Sequence, residues 1–219
     1  NSDALVDGIT VLDMDIAIYV MPDWGKDINF KNGIFRNNYI SGGSSEAISI
    51  SSGMWDNQGL VSNILIENNV MKNKSATALQ LGSRTQNITV TGNDISTSNH
   101  GITVIDNNLE ELGNLIARNI TITDNYIHDN TWHNLIIDGH DVYVANNTLA
   151  NGNDVMLLGL SYLDGAIVEN NTFTNVSTVG AAAISIFNLH DSVIQNNIFT
   201  SGVSSIGIRG GSQSNNTIE

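Results

Sequence analysis

A bend motif, two asparagines set between alternating apolar residues, returns through this 219-residue chain at an interval that few folds can accommodate. The copies read FRNNYI at 35–40, IENNVM at 66–71, VTGNDI at 90–95, ITDNYI at 122–127, VANNTL at 144–149, VENNTF at 168–173, IQNNIF at 194–199 and QSNNTI at 213–218. Their second asparagines stand at 38, 69, 93, 125, 147, 171, 197 and 216, a mean step of about 25 residues. A period of that size marks a solenoid, in which each repeat buries its apolar face only by stacking on its neighbours.

Within a repeat, apolar and polar residues alternate, as in Ile120, Ile122 and Ile127 with Thr121, Thr123 and His128 between them. That two-residue period, rich in β-branched side chains, belongs to strands. Each coil parses into three short strands: one running into the asparagine pair, one following it, and the first strand of the next coil after a further turn. Aligning the first strands at 47–51, 78–82, 101–105, 134–138, 154–158, 183–187 and 205–209 gives inward pairs Ile48/Ile50, Leu79/Leu81, Ile102/Val104, Leu135/Ile137, Val155/Leu157, Ile184/Ile186 and Ile206/Ile208. Every member is Ile, Leu or Val, so the strands share one register and no appreciable helix is expected.

Asparagine suits the bend for two reasons. It tolerates left-handed backbone angles, and identical amides stacked at a strand spacing of about 4.8 Å can hydrogen-bond along the column. The pairs are therefore read as scaffold, an Asn ladder at one bend, and not as an active site. Seven N-x-S/T sequons, at Asn73, Asn87, Asn119, Asn146, Asn170, Asn175 and Asn215, follow from this composition; those on the bend column are expected to be buried.

With 22 acidic and 8 basic residues the net charge is −14, which repels nucleic acid and anionic membranes and excludes both as partners. No apolar run approaches the length of a membrane span, so membrane insertion is not expected. There is no cysteine, hence no disulfide and no thiolate metal site. Neither end carries a cap, and residues 1–219 are read as one β-helix domain cut from a longer chain.

The V/I-x-N-N-x-I/F bend and the first-strand apolar pairs resemble the right-handed parallel β-helix superfamily of pectate lyases, polygalacturonases, mannuronan epimerases and phage tailspike depolymerases, over nearly all of the chain. The resemblance implies an all-β, single-stranded right-handed parallel β-helix of about eight coils. It also implies a polysaccharide lying along the outward face of the first sheet, walled by the loops that follow that strand. The stretches 5–20 and 26–35 look like polygalacturonase-type coils, and 133–152 looks like an epimerase coil. The Asn-Thr-Asp and Asp-Asp signature of the former and the Asp-Pro-His-Glu of the latter are absent, so no catalytic residue is carried over from either. A homotrimer, common among tailspike relatives, is one assembly the resemblance implies.

On the first-sheet face the expected outward central column reads Ser49, Gln80, Thr103, Ile136, Met156, Ser185 and Gly207; the next reads Ser51, Gly82, Ile105, Asp138, Leu158, Phe187 and Arg209. Met156 and Phe187 would serve a sugar as apolar platforms. His100 and His133 hold equivalent positions before consecutive first strands and should be vertical neighbours. Asp106, Asp138, His140 and Asp141 lie at the other end of those strands, and Arg84 falls in the turn one coil earlier. Two carboxylates on adjacent coils suit general acid and base roles in glycoside cleavage, and a histidine between carboxylates suits base chemistry in a lyase or epimerase. Asp and His in such turns equally cap backbone groups.

The candidate catalytic set is Asp106, Asp138, His133 and His140; the candidate substrate-binding set is Trp55, Arg84, His100, Met156 and Phe187. Trp55 and the carboxylates of Glu110 and Glu111 sit on the longer insertions 51–63 and 106–119, where loops carry function on a rigid scaffold. No cofactor is assigned. Asp13-x-Asp15 and the turn 106–108 offer oxygens to Ca2+, and the His100/His133 pair lacks a third ligand for a metal. The sequence points to an extracellular or cell- or virion-surface protein that acts on or binds an extended polysaccharide. If it is an enzyme, glycoside hydrolysis fits better than lyase or epimerase chemistry, since cations that would neutralise a uronate are sparse. A non-catalytic stalk, adhesin or tail-fibre segment is the competing reading.

Overall fold

The computed structural model describes residues 3–22, 29–51, 59–105, 117–152, 156–176, 182–201 and 204–219. All regular structure among them is β-strand, paired in parallel throughout. The third strands of the coils form a separate eight-stranded sheet in simple ascending order, from Thr10–Leu12 to Ile198–Thr200. Eight stacked strands enclose seven turns of a β-solenoid, one fewer than the eight coils expected.

Three apolar columns fill the interior. The third strands contribute Val11, Ile40, Met71, Ile95, Ile127, Leu149, Phe173 and Phe199, each in register with the next. The second strands contribute Val6, Phe35, Ile66, Val90, Ile122, Val144, Val168 and Ile194. Most of these side chains are fully enclosed, because a strand's two-residue alternation places every second residue inside while parallel stacking repeats that choice in each coil.

The first strands follow the expected register with one exception. Leu158 and Leu160, not Val155 and Leu157, pair with Leu135 and Ile137 on one side and Ile184 and Ile186 on the other. The turn before this strand is longer than the alignment assumed. Gly159 consequently takes the outward central position between Ile136 and Ser185, and Met156 moves to the strand's start, level with His133 and Ala182.

The two asparagines of each pair divide the work. The first adopts φ between 54° and 57° at Asn37, Asn68, Asn146, Asn170 and Asn196, with Gly92 and Asp124 substituting at φ 65° and 57°. The second forms a continuous buried ladder: the amide nitrogens of Asn38, Asn69, Asn93, Asn125, Asn147 and Asn171 each donate to the side-chain oxygen of the next, at 2.9–3.1 Å. That same oxygen also accepts the backbone N–H of the asparagine one coil below, as from Asn125 to Asn147 at 3.0 Å. Asn146 and Asn170, sequon residues expected to be buried, are exposed because they occupy the left-handed position.

Asn216 is not on this ladder. Asn215 donates to Asp191, and Asn216 accepts from the backbone of Ser192, so the last pair sits one bend earlier, before the second strand. The short final step of 19 residues was the trace of that difference.

Candidate functional site

The outward face of the first sheet carries two clusters, one at each end of its strands. At the entry end His100 pairs with His133 and His133 with Met156. The two imidazoles are 7° from parallel with centroids 5.1 Å apart, and their Nδ1 atoms are 3.1 Å apart. Since the centroids are further apart than the nitrogens by about a ring's width, the rings lie edge to edge with Nδ1 facing Nδ1. One imidazole therefore donates and the other accepts. Burial pushes the pKa of His100 below the usual histidine value, because desolvation disfavours the imidazolium. Trp132 leans on both rings, at 6.3 and 6.4 Å, and is 47% exposed.

At the exit end, Asp138 follows the Val104/Ile137 pair and stands level with Ile105, the residue that precedes Asp106. One column then runs up the face through Ser161, Phe187 and Arg209, and Asp138 stands at its foot opposite a bulge at Ser161 and Tyr162. Ser161, Phe187 and Arg209 line a shallow cavity of about 190 Å³ with Met156, Gly159 and Ser185. Met156 and Phe187, expected together as apolar platforms, line this same hollow. Tyr162, at φ 50°, sets its ring against the edge of Phe187 at 5.9 Å. The Ser185 hydroxyl is enclosed and has no hydrogen-bond partner among the described residues.

Other expected site residues are dispersed. His140 lies beyond Gly139, whose added Cβ would come 2.7 Å from the Ala117 carbonyl. At that glycine the 13-residue strand His133–Ala145 passes from the first-strand row to the second, so His140 pairs with Arg118 and faces Asp164 at 3.6 Å. His133 and Asp138 share a strand but stand five residues apart, roughly 16 Å at strand rise. Arg84 holds the turn after Thr77–Leu81 in a left-handed conformation. Asp106, Trp55, Glu110 and Glu111 lie outside the described residues.

The Asp13–Asp15 turn, considered for Ca2+, is served by the chain's own cation. The Lys74 ammonium donates to the carbonyls of Met14, Asp15 and Gly42 at 2.6, 3.0 and 2.6 Å. Among the described residues no group of three or more His, Cys, Asp or Glu side chains is placed to hold a metal. The turn 106–108 lies outside them.

Sequence reasoning missed Trp132, in a turn, and Tyr162, at a bulge in the strand Met156–Asp164, since no periodicity reports the side-chain direction at either. It also missed a constellation on the third sheet. There His128 stacks on Tyr126 at 3.9 Å and sets its ring nitrogens 2.5 Å from Asp129 and 3.1 Å from Asp94. Lys72, in the register row of His128 two coils away, lies 5.0 Å from the ring centre of Tyr39.

No protein-family model matches the chain, and no curated protein matches it. Solved structures do. The Agl-KA catalytic domain superposes with a TM-score of 0.73 at 13% identity, covering 100% of this chain and 48% of that one. The A-module of a mannuronan C-5 epimerase from Azotobacter vinelandii gives 0.68 at 13% identity, with 99% and 58% covered. The tailspike protein of E. coli bacteriophage HK620, in complex with pentasaccharide, gives 0.53 at 16% identity, with 98% and 42% covered. The chain spans about half the length of these structures. At such identities the likeness concerns the fold. With the parallel ladders, the three-strand coil and the buried Asn column, it shows that this chain has the parallel β-helix fold.

Proposed function

We propose that this protein binds an extended polysaccharide along the exit-end column of its first sheet, outside the cell or on a cell or virion surface. The observation that carries this reading is the continuity of that column. A hydroxyl (Ser161), an aromatic pair (Phe187 with Tyr162) and a guanidinium (Arg209) succeed one another at strand spacing beside a hollow, with a carboxylate (Asp138) at the foot of the column opposite the bulge. Repeated rungs about 4.8 Å apart suit a polymer of repeated units, and exposed aromatic faces with polar neighbours suit sugar rings. Solved structures of this fold include an epimerase named for mannuronan and a tailspike holding a pentasaccharide, which supports the substrate class.

For chemistry, the reading assigns glycoside hydrolysis, with Asp138 and Asp106 as the acid and base carboxylates. The test is a panel of neutral and acidic polysaccharides, with binding read by affinity electrophoresis and chain length by size chromatography. Phe187→Ala is expected to weaken binding about tenfold, the loss of one aromatic contact worth ~1.4 kcal/mol. Asp138→Ala is expected to retain binding and lower cleavage by about 10²-fold or more. Binding without cleavage in the wild type would overturn the hydrolytic assignment and leave a binding module. Neither binding nor cleavage across the panel would leave a rigid stalk.

A further inference from the structure

The entry-end histidine pair has no part in the column above, yet its geometry is specific. Its rung begins with Thr77, passes through His100 and His133, and continues to Met156. Two imidazoles are held on adjacent coils of a stiff parallel sheet, half-buried, with the same ring nitrogen turned inward on each. Backbone pairing sets the two histidines on adjacent rungs, and the contact between their rings brings the two nitrogens to the separation of a bidentate bite.

We propose that His100 and His133 form a two-imidazole clip for a divalent transition-metal ion, Cu2+ above all, bound through both Nδ1 atoms with water completing the coordination. Imidazole nitrogens bond such ions at about 2.0–2.1 Å, and two donors 3.1 Å apart at that bond length subtend roughly 98° at the metal. That angle lies between the cis angle of a square-planar ion and the angle of a tetrahedral one. Imidazole suits Cu, Zn and Ni, and affinity for a given nitrogen site peaks at Cu2+.

Proton accounting permits the exchange. In the metal-free pair one ring carries its proton on Nδ1 and donates it to the other. For the ion to bind both Nδ1 atoms, the donor ring moves that proton to Nε2, and no proton need be released. Trp132, in ring contact with both histidines, is a built-in reporter.

The experiment titrates the full 219-residue chain with Cu2+, and separately with Ni2+ and Zn2+, by calorimetry and by Trp emission, with EPR of the Cu2+ form. Expected are one saturable Cu2+ equivalent, Cu2+ bound more tightly than Ni2+, an EPR spectrum showing two nitrogen donors, and quenching that disappears in Trp132→Phe. His100→Ala and His133→Ala should each weaken Cu2+ binding by about tenfold or more, while retaining the β-sheet circular dichroism of the wild type. His140→Ala removes a histidine outside the pair, one that faces Asp164, and should leave the titration unchanged. Unaltered binding in both His100→Ala and His133→Ala, or loss of binding in His140→Ala, would overturn the proposal. So would the absence of any saturable equivalent.

Discussion

Asn147→Ala is expected to destabilise the protein by about 3–5 kcal/mol, while Asn146→Gly, at the adjacent position of the same motif, should change stability by no more than about 0.5 kcal/mol. Asn147 is 1% exposed. Its oxygen accepts the backbone and side-chain N–H groups of Asn125 at 3.0 and 2.9 Å. Its amide donates to Ile122 O at 2.8 Å, Ala145 O at 3.1 Å and Asn171 Oδ1 at 3.0 Å. Alanine leaves the buried Asn125 N–H without an acceptor, removes the amide's bonds to both neighbouring coils, and opens a void at the bend. An orphaned buried group costs about 1–3 kcal/mol by itself. Asn146 is exposed and supplies only φ 57°, which glycine adopts freely. Urea unfolding of the two variants checks this; equal midpoints would mean that the ladder does not carry the bend. Since the bonds of Asn147 run to the two adjacent coils, a break there should also appear in hydrogen exchange as local opening of those coils.

Lys74→Met is expected to cost about 3 kcal/mol, the scale of removing one partner from a buried charged network. Lys74 is 2% exposed and reaches back across two coils to three carbonyls. Methionine has a comparable length and no donor, so all three oxygens lose a bond at once. Burial lowers the Lys74 pKa below 10.5, with opposition from Asp15, Glu46 and Asp13. Between the lowered native value and the ordinary unfolded one, the unfolded chain binds more protons, so this group adds stability as pH rises through that window. The difference between wild type and Lys74→Met should therefore widen as pH rises towards 10.5. A difference that is flat or shrinking over that range would show that the native ammonium is not desolvated.

Lys74 was invisible to sequence reading because K in MKNKSAT looks like an ordinary turn lysine. Only the stacking of three coils brings the Met14, Asp15 and Gly42 carbonyls to one point. The candidate site shows the same division. Alternation correctly placed Phe187 on the outward face, and the histidine pair was predicted from equal positions in consecutive coils. Met156 was misplaced because 155–158 reads VMLL, an apolar run with two equally good phases, and the preceding turn hides its own length. His140 appeared to neighbour Asp138 because nothing local reveals that the chain passes to another row at Gly139.

By itself, the sequence determined that this chain is a parallel solenoid with three strands per coil, Asn-built bends and an aliphatic interior. The reason is that a repeated pattern states one local rule many times, and burial enforces it in every coil. The tertiary structure alone decided which residues meet across coils. Pairing register, turn length and the reach of side chains over about 4.8 Å rungs are set by neighbours distant in sequence. These bring Phe187 to Tyr162 and Met156, Trp132 to two histidines, and one lysine to three carbonyls.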